Sequence, residues 1–132
     1  MQRYLGRFEG GALLLLRVVL AFLYWSHGVR WLFNWFGGSP VPLNTMLTTA
    51  GVIETTCGIL IAIGLLTSWA AFIASGEMAV AYFMAHVSRG GWIPIQNMGE
   101  ITVALCFGFL YLAVRGAGPY SVDALMRSEK RK

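Results

Sequence analysis

Charge is what this sequence has least of. Only 12% of its 132 residues are Asp, Glu, Lys or Arg, against 57% hydrophobic, about half the charge of an ordinary soluble domain. That shortage excludes a soluble globular fold. A hydrocarbon core ~30 Å thick needs roughly 20 apolar residues per helix, and windows at about 11–35, 43–66, 68–87 and 98–115 each supply them. The expected architecture is all-α, a transmembrane four-helix bundle forming a single membrane domain, with a tail over 116–132.

Cysteine is nearly absent too. Cys57 and Cys106 fall at different depths along their helices, which argues against a disulfide and against the closely spaced pairs of membrane thiol oxidoreductases. Histidine is equally scarce. The only two are His27 and His86, and neither belongs to the Glu-x-x-His pairs that a di-iron bundle requires. His27 with Glu100 is an incomplete ligand set, and His86 lies about 180° from Glu77 on its helix, so no metal site is expected. Phosphate-cradling glycine loops, nucleophile elbows and nucleic-acid modules are missing.

What charge there is has a direction. Arg3 and Arg7 precede the first span, and Arg115, Arg127, Lys130, Arg131 and Lys132 follow the last, while the loop "GGSPVPLN" has no charge and "HVSRGGWIPIQN" only Arg89. Positive-inside reasoning puts both termini in the cytoplasm. The basic excess is therefore a topology signal, with a secondary attraction to anionic lipid, and no nucleic-acid partner is expected. The N-terminus mimics a signal peptide, but Arg17 interrupts its apolar run and no small-x-small site follows, so it reads as a retained span.

Pro40 and Pro42 with Gly37 and Gly38 separate the first two spans, and Pro94 with Gly90 and Gly91 separate the last two. The short "LLTSW" makes the second and third spans antiparallel neighbours. Gly58 with Ala62, Ala71 with Ser75 and Ala79, and Ala104 with Gly108 repeat small residues four apart, which lets helices approach closely in lipid. Beyond Gly116, Gly118 and Pro119, Ser121 is placed to cap a short amphipathic helix on the inner surface.

Against this apolar background each of three spans keeps one glutamate: Glu54 in "GVIETTCGILIAIGLL", Glu77 in "SWAAFIASGEMAVAYFMA" and Glu100 in "GEITVALCFGFLYLAV". Glu54 and Glu77 fall near mid-bilayer and Glu100 near the outer surface, with Arg17 roughly 9 Å above the inner boundary. An ionised group at the centre costs on the order of 3 kcal/mol. We therefore expect Arg17 to pair with Glu54 or Glu77, the other carboxyl being held protonated. At 100° per residue the inward faces read Arg17, Tyr24, Gly28 and Trp31 with His27 at the margin; Leu47, Gly51, Glu54, Gly58 and Ile61 beside Cys57; Glu77, Ala81, Met84 and Ser88; and Asn97, Glu100, Ala104, Phe107 and Tyr111. The candidate ligand- or proton-binding residues are Arg17, His27, Glu54, Glu77 and Glu100. The alternative is that buried ion pairs merely fix helix register. Aromatics near the outer side, among them Tyr24, Trp25, Trp31, Trp35, Tyr82 and Trp92, anchor the interface or, with His27, line an entrance for a flat apolar ligand such as a quinone.

The succession "LLLRVVLAFLYWSHGVRWLF", "GVIETTCGILIAIGLLTSWAAF" and "GEITVALCFGFLYLAVRGAGPYSVDALM" resembles the DoxX family of small four-span membrane proteins over about residues 11 to 126. The likeness rests on Arg17, His27 with Gly28, Glu54 with Gly58 and Gly64, Ala81, Glu100, and the closing Gly116, Gly118, Ser121 and Asp123. Arg30 stands where the family commonly has a Lys, and Glu77 is outside the matching pattern. The family takes its name from a subunit of a thiosulfate:quinone oxidoreductase. The resemblance implies a bacterial or archaeal inner-membrane subunit of a redox complex, binding or positioning quinone or supporting proton exchange, with no intrinsic cofactor and with catalysis dependent on partner subunits. The rival expectation is a non-catalytic accessory subunit that stabilises a larger complex. A small transporter is disfavoured because four short helices leave little room for alternating access.

Overall fold

A computed structural model describes residues 1–37, 42 and 44–130; Gly38, Pro40, Arg131 and Lys132 fall outside them. Among the described residues every regular element is helical. After short turns at Gln2–Leu5 and Gly6–Phe8 come α1 (Glu9–Phe33), α2 (Thr45–Ile63), α3 (Thr67–Ala81), α4 (Glu100–Arg115) and α5 (Val122–Glu129). Three stretches, Arg3–Phe33, Thr45–Ile63 and Thr67–Gly90, are long and apolar enough to cross a membrane. Helix α4 has 16 residues, about 24 Å at the α-helical rise.

Local chemistry sets the ends. The Asn44 side chain accepts from the Leu47 amide at 2.9 Å and starts α2. Gly64, at φ +76°, closes it by donating back to Leu60 and Ile61, with Leu65 donating to Leu60 at 2.9 Å. Helix α4 ends at Gly116, φ +79°, and α5 starts at Ser121, whose hydroxyl accepts from the Ala124 amide at 3.2 Å.

Glycine lets α1 and α2 touch along their length in antiparallel register. A Cβ on Gly28 would lie 2.6 Å from Thr55 Oγ1 and 2.8 Å from Glu54 Cβ, one on Gly51 2.8 Å from Leu32, and one on Gly58 2.8 Å from Trp25. The second pair, α3 with α4, uses alanine: Ala70, Ala71, Ala74 and Ser75 are buried against Leu105, Phe109 and Leu112. The Ser75 hydroxyl donates across this seam to the Cys106 carbonyl at 2.9 Å. Tyr24 and Phe109, both fully buried, meet edge to face at 4.9 Å and join the two pairs at the centre. Cys57 and Cys106 are free thiols. Leu15, Phe22, Ile59, Phe72 and Val80 are exposed on the outside, the surface a bilayer would wet.

Two of the expected faces are borne out and two are not. Arg17, Tyr24 and Gly28 of α1 and Gly51, Glu54, Cys57, Gly58 and Ile61 of α2 are buried. In α4 the buried stripe is Thr102, Leu105, Phe109 and Leu112, while Glu100, Ala104, Phe107 and Tyr111 are exposed. That face had been aligned on Glu100, which instead occupies the exposed first turn, where the helix dipole favours a negative charge. In α3, Glu77 and Ala81 are half-buried but Met84 and Ser88 are exposed. A π-helix at Tyr82–Val87 widens the turn and rotates everything after it off the α-helical phase.

Candidate functional site in the bundle interior

Arg17 is 1% exposed, and no carboxylate is its partner. Its guanidinium donates to the carbonyl of Ala117, to that of Tyr120 at 2.8 Å and to that of Ala62 at 3.4 Å. Among the described residues the ion pair found is Arg115 with Glu9, at the surface. The expected Arg17 pairing with Glu54 or Glu77 is thus replaced by a cage of main-chain oxygens. The reason is reach: the long side chain turns toward the end of the bundle holding both termini, where Ala62 in the last turn of α2 offers a carbonyl at the negative end of a helix.

The oxygens are held there by the segment 116–123. The Asp123 carboxylate accepts from the amides of Leu66 at 2.8 Å and Thr67 at 3.0 Å, capping α3 from outside its own helix, and the Asp123 amide donates to the Gly64 carbonyl at 2.9 Å. Gly64 has no room for a side chain, since a Cβ would lie 2.5 Å from Ser121 Cβ and 2.9 Å from Arg17 Nη1. A Cβ on Gly118, φ +78°, would lie 2.7 Å from Leu13. Arg17, Gly64, Gly118, Ser121 and Asp123 therefore form one clasp that ties the end of the chain to α1, α2 and α3.

The acidic site lies deeper. The Tyr24 hydroxyl donates to Glu77 Oε2 at 3.1 Å. Glu54 is 4% exposed and its Oε2 has no hydrogen-bond partner. The two carboxyl groups are close enough for their charges to interact, and Tyr24 and Cys57 lie within the same reach. The missing side chain at Gly28 leaves the space that the Glu54 stem fills. Two carboxyls from different helices, one tyrosine hydroxyl and no paired cation make a place where protons, or a hydrogen-bonding ligand atom, can be exchanged within an apolar interior.

His27 and Glu100 do not join it. Both are exposed, His27 on the flank of α1 and Glu100 at the opening turn of α4. No group of three or more His, Cys, Asp and Glu that could hold a metal occurs among the described residues. Tyr24 is the residue that sequence reasoning undervalued. It was read both on the inward stripe of α1 and among the outer aromatics but not among the site residues; it is in the core, and its hydroxyl engages Glu77. A second polar network, also missed, closes the loop end of the bundle. His86 contacts the Asn97 carbonyl through Nδ1 at 3.1 Å and the Thr102 hydroxyl through Nε2 at 3.2 Å. The Asn97 amide donates to Gly91 at 2.7 Å and accepts from Gly99 at 2.9 Å, and Tyr82 donates to the Trp92 carbonyl at 2.8 Å.

The acidic site, Tyr24, Glu54 and Glu77, lies within residues 12–87 together with Arg17 and Gly64 of the clasp, and that stretch matches the DoxX family. The chain belongs to the DoxX family. A relative in Haemophilus influenzae, described as an uncharacterized protein, is 40% identical over 114 residues, covering 82% of this chain and 85% of its own. No solved structure matches the chain. The family is one of small membrane proteins, in accord with the apolar helices of this DoxX bundle.

Proposed function

We propose that this DoxX protein is an inner-membrane subunit of a redox complex, and that its Tyr24–Glu54–Glu77 cluster exchanges protons with, or hydrogen-bonds to, a quinone. The observation that carries this is the unpartnered Glu54 oxygen, in the same interior as a second carboxyl that Tyr24 already engages. A buried polar atom without a partner costs roughly 1–3 kcal/mol, a cost expected of a binding site rather than of a scaffold. An apolar groove of about 270 Å³ between α1 and α2, lined by Phe22, Trp25, Gly58, Ile59 and neighbours, offers a bed for an isoprenoid tail on the same two helices that carry Tyr24 and Glu54. Oxidation and reduction are carried by a partner subunit, and this chain supplies the protonatable interior. All four long helices cross the bilayer in this reading, both termini are cytoplasmic, and α5 lies on the inner surface.

Glu54→Gln and Glu77→Gln test the reading, because each keeps the shape and removes the titrating group. In membranes, each is expected to lower quinone-linked electron transfer at least tenfold while leaving thermal unfolding in detergent within a few degrees of wild type. Unchanged electron transfer in both variants would leave only the accessory role. That second reading has its own support in the clasp, which uses Arg17, the most deeply buried charge, purely to hold the chain together.

A further inference from the structure

We infer that the terminal end of the bundle carries a binding site for the phosphate of a net-anionic membrane lipid. The site is a cleft of about 750 Å³ between the end of α4 and α5, lined among others by Ser68, Arg115, Gly116, Gly118, Arg127 and Ser128. Two guanidinium groups from separate elements face one recess. Arg115 gives one nitrogen to Glu9, which leaves most of its five N–H donors for a ligand, and Arg127 is in no ion pair among the described residues. Paired arginines with nearby hydroxyls suit a tetrahedral oxyanion. The clasp makes this a built cleft, because Asp123, held by Leu66 and Thr67, fixes α5 against the start of α3.

The wall of the cleft decides between a lipid and a soluble phosphate. Val114 lines it and is 84% exposed. One helical turn further into the bundle, on the same faces as Ser68 and Val114, come Phe72 and Leu110, both exposed. Trp69, 72% exposed, stands where tryptophans mark the headgroup level. A polar recess that runs without interruption into an apolar surface fits a headgroup with its acyl chains. A free phosphate would have no use for that surface. Basic pockets at this level of membrane proteins bind anionic headgroups.

The full chain in a non-ionic detergent, followed by native mass spectrometry with added phosphatidylglycerol or phosphatidylcholine, tests this. Wild type is expected to retain phosphatidylglycerol preferentially, and Arg127→Gln to weaken that retention roughly fivefold, the value of one basic residue near a lipid surface. Arg115→Gln is expected to do the same, whereas Glu9→Gln, which breaks the ion pair but keeps the guanidinium, retains the lipid. Arg3→Gln removes the same charge outside the cleft and is expected to leave retention unchanged. Should Arg115→Gln fold poorly, Arg127→Gln, on an exposed surface helix, carries the test alone. Equal retention by Arg127→Gln and wild type, or an equal loss in Arg3→Gln, would overturn the site. Displacement of the lipid by millimolar inorganic phosphate would overturn the lipid assignment in favour of a small-anion site.

Discussion

Arg17 and Glu54 are both buried charges by sequence, yet they meet opposite fates. Both terminal nitrogens of Arg17 find carbonyls, three in all, with only Nε left over, whereas one carboxyl oxygen of Glu54 finds nothing. Removing the first is therefore a stability experiment. Arg17→Gln strands the buried carbonyl of Ala117, at roughly 1–3 kcal/mol, and frees that of the exposed Tyr120, so a loss of about 2 kcal/mol in reversible unfolding is expected. Asp123→Ala removes the cap on α3 and is expected to cost about 1–2 kcal/mol by the same measurement. If Arg17→Gln unfolded like wild type while abolishing electron transfer, the arginine would belong to the site and the clasp would be incidental.

At the scale of helices, the α1–α2 contact is made by missing side chains. Gly28→Ala puts a methyl group 2.7 Å from the Thr55 amide nitrogen, which no rotamer can move, and the forced separation should cost about 1–3 kcal/mol. Gly76 is the internal control. It sits in α3 with nothing within 4 Å of its would-be Cβ, so Gly76→Ala is expected to be neutral or to gain a few tenths of a kcal/mol from helix propensity. Thermal melts of the two variants in one detergent decide it. This scale also shows how far the sequence could be read. The faces of α1 and α2 were legible because small and polar residues repeat on one side of each, at a spacing that an unbroken α-helix preserves. The face of α4 was not, since its charge marks an end rather than a side. The face of α3 beyond Ala81 was lost to a π-turn that no residue pattern announces. The carboxyl cluster was legible as two glutamates at one depth, but Arg17 misled, because its partners are backbone oxygens, which have no letter in a sequence.

For the whole molecule, Glu9 meets Arg115 and Gly10 abuts Pro119, so the two ends of the chain lie at one end of the bundle. Reporter fusions after Lys130 and before Met1 are expected to register on the same side of the membrane, the cytoplasmic one by the positive-inside rule. Opposite readings would require α4 to stop short of crossing. The closing of the structure at that end has a consequence for how the protein is made. The first helix enters the membrane bearing a guanidinium whose acceptors, Ala117 and Tyr120, lie about a hundred residues downstream. Until residues 117 to 120 are in place, that guanidinium has of its three carbonyls only that of Ala62, at 3.4 Å, and a chain cut before Ala117 lacks the other two. Closure of the fold at that end thus waits on residues 117 to 120, and the first helix depends for its buried cation on a segment about a hundred residues later in the chain.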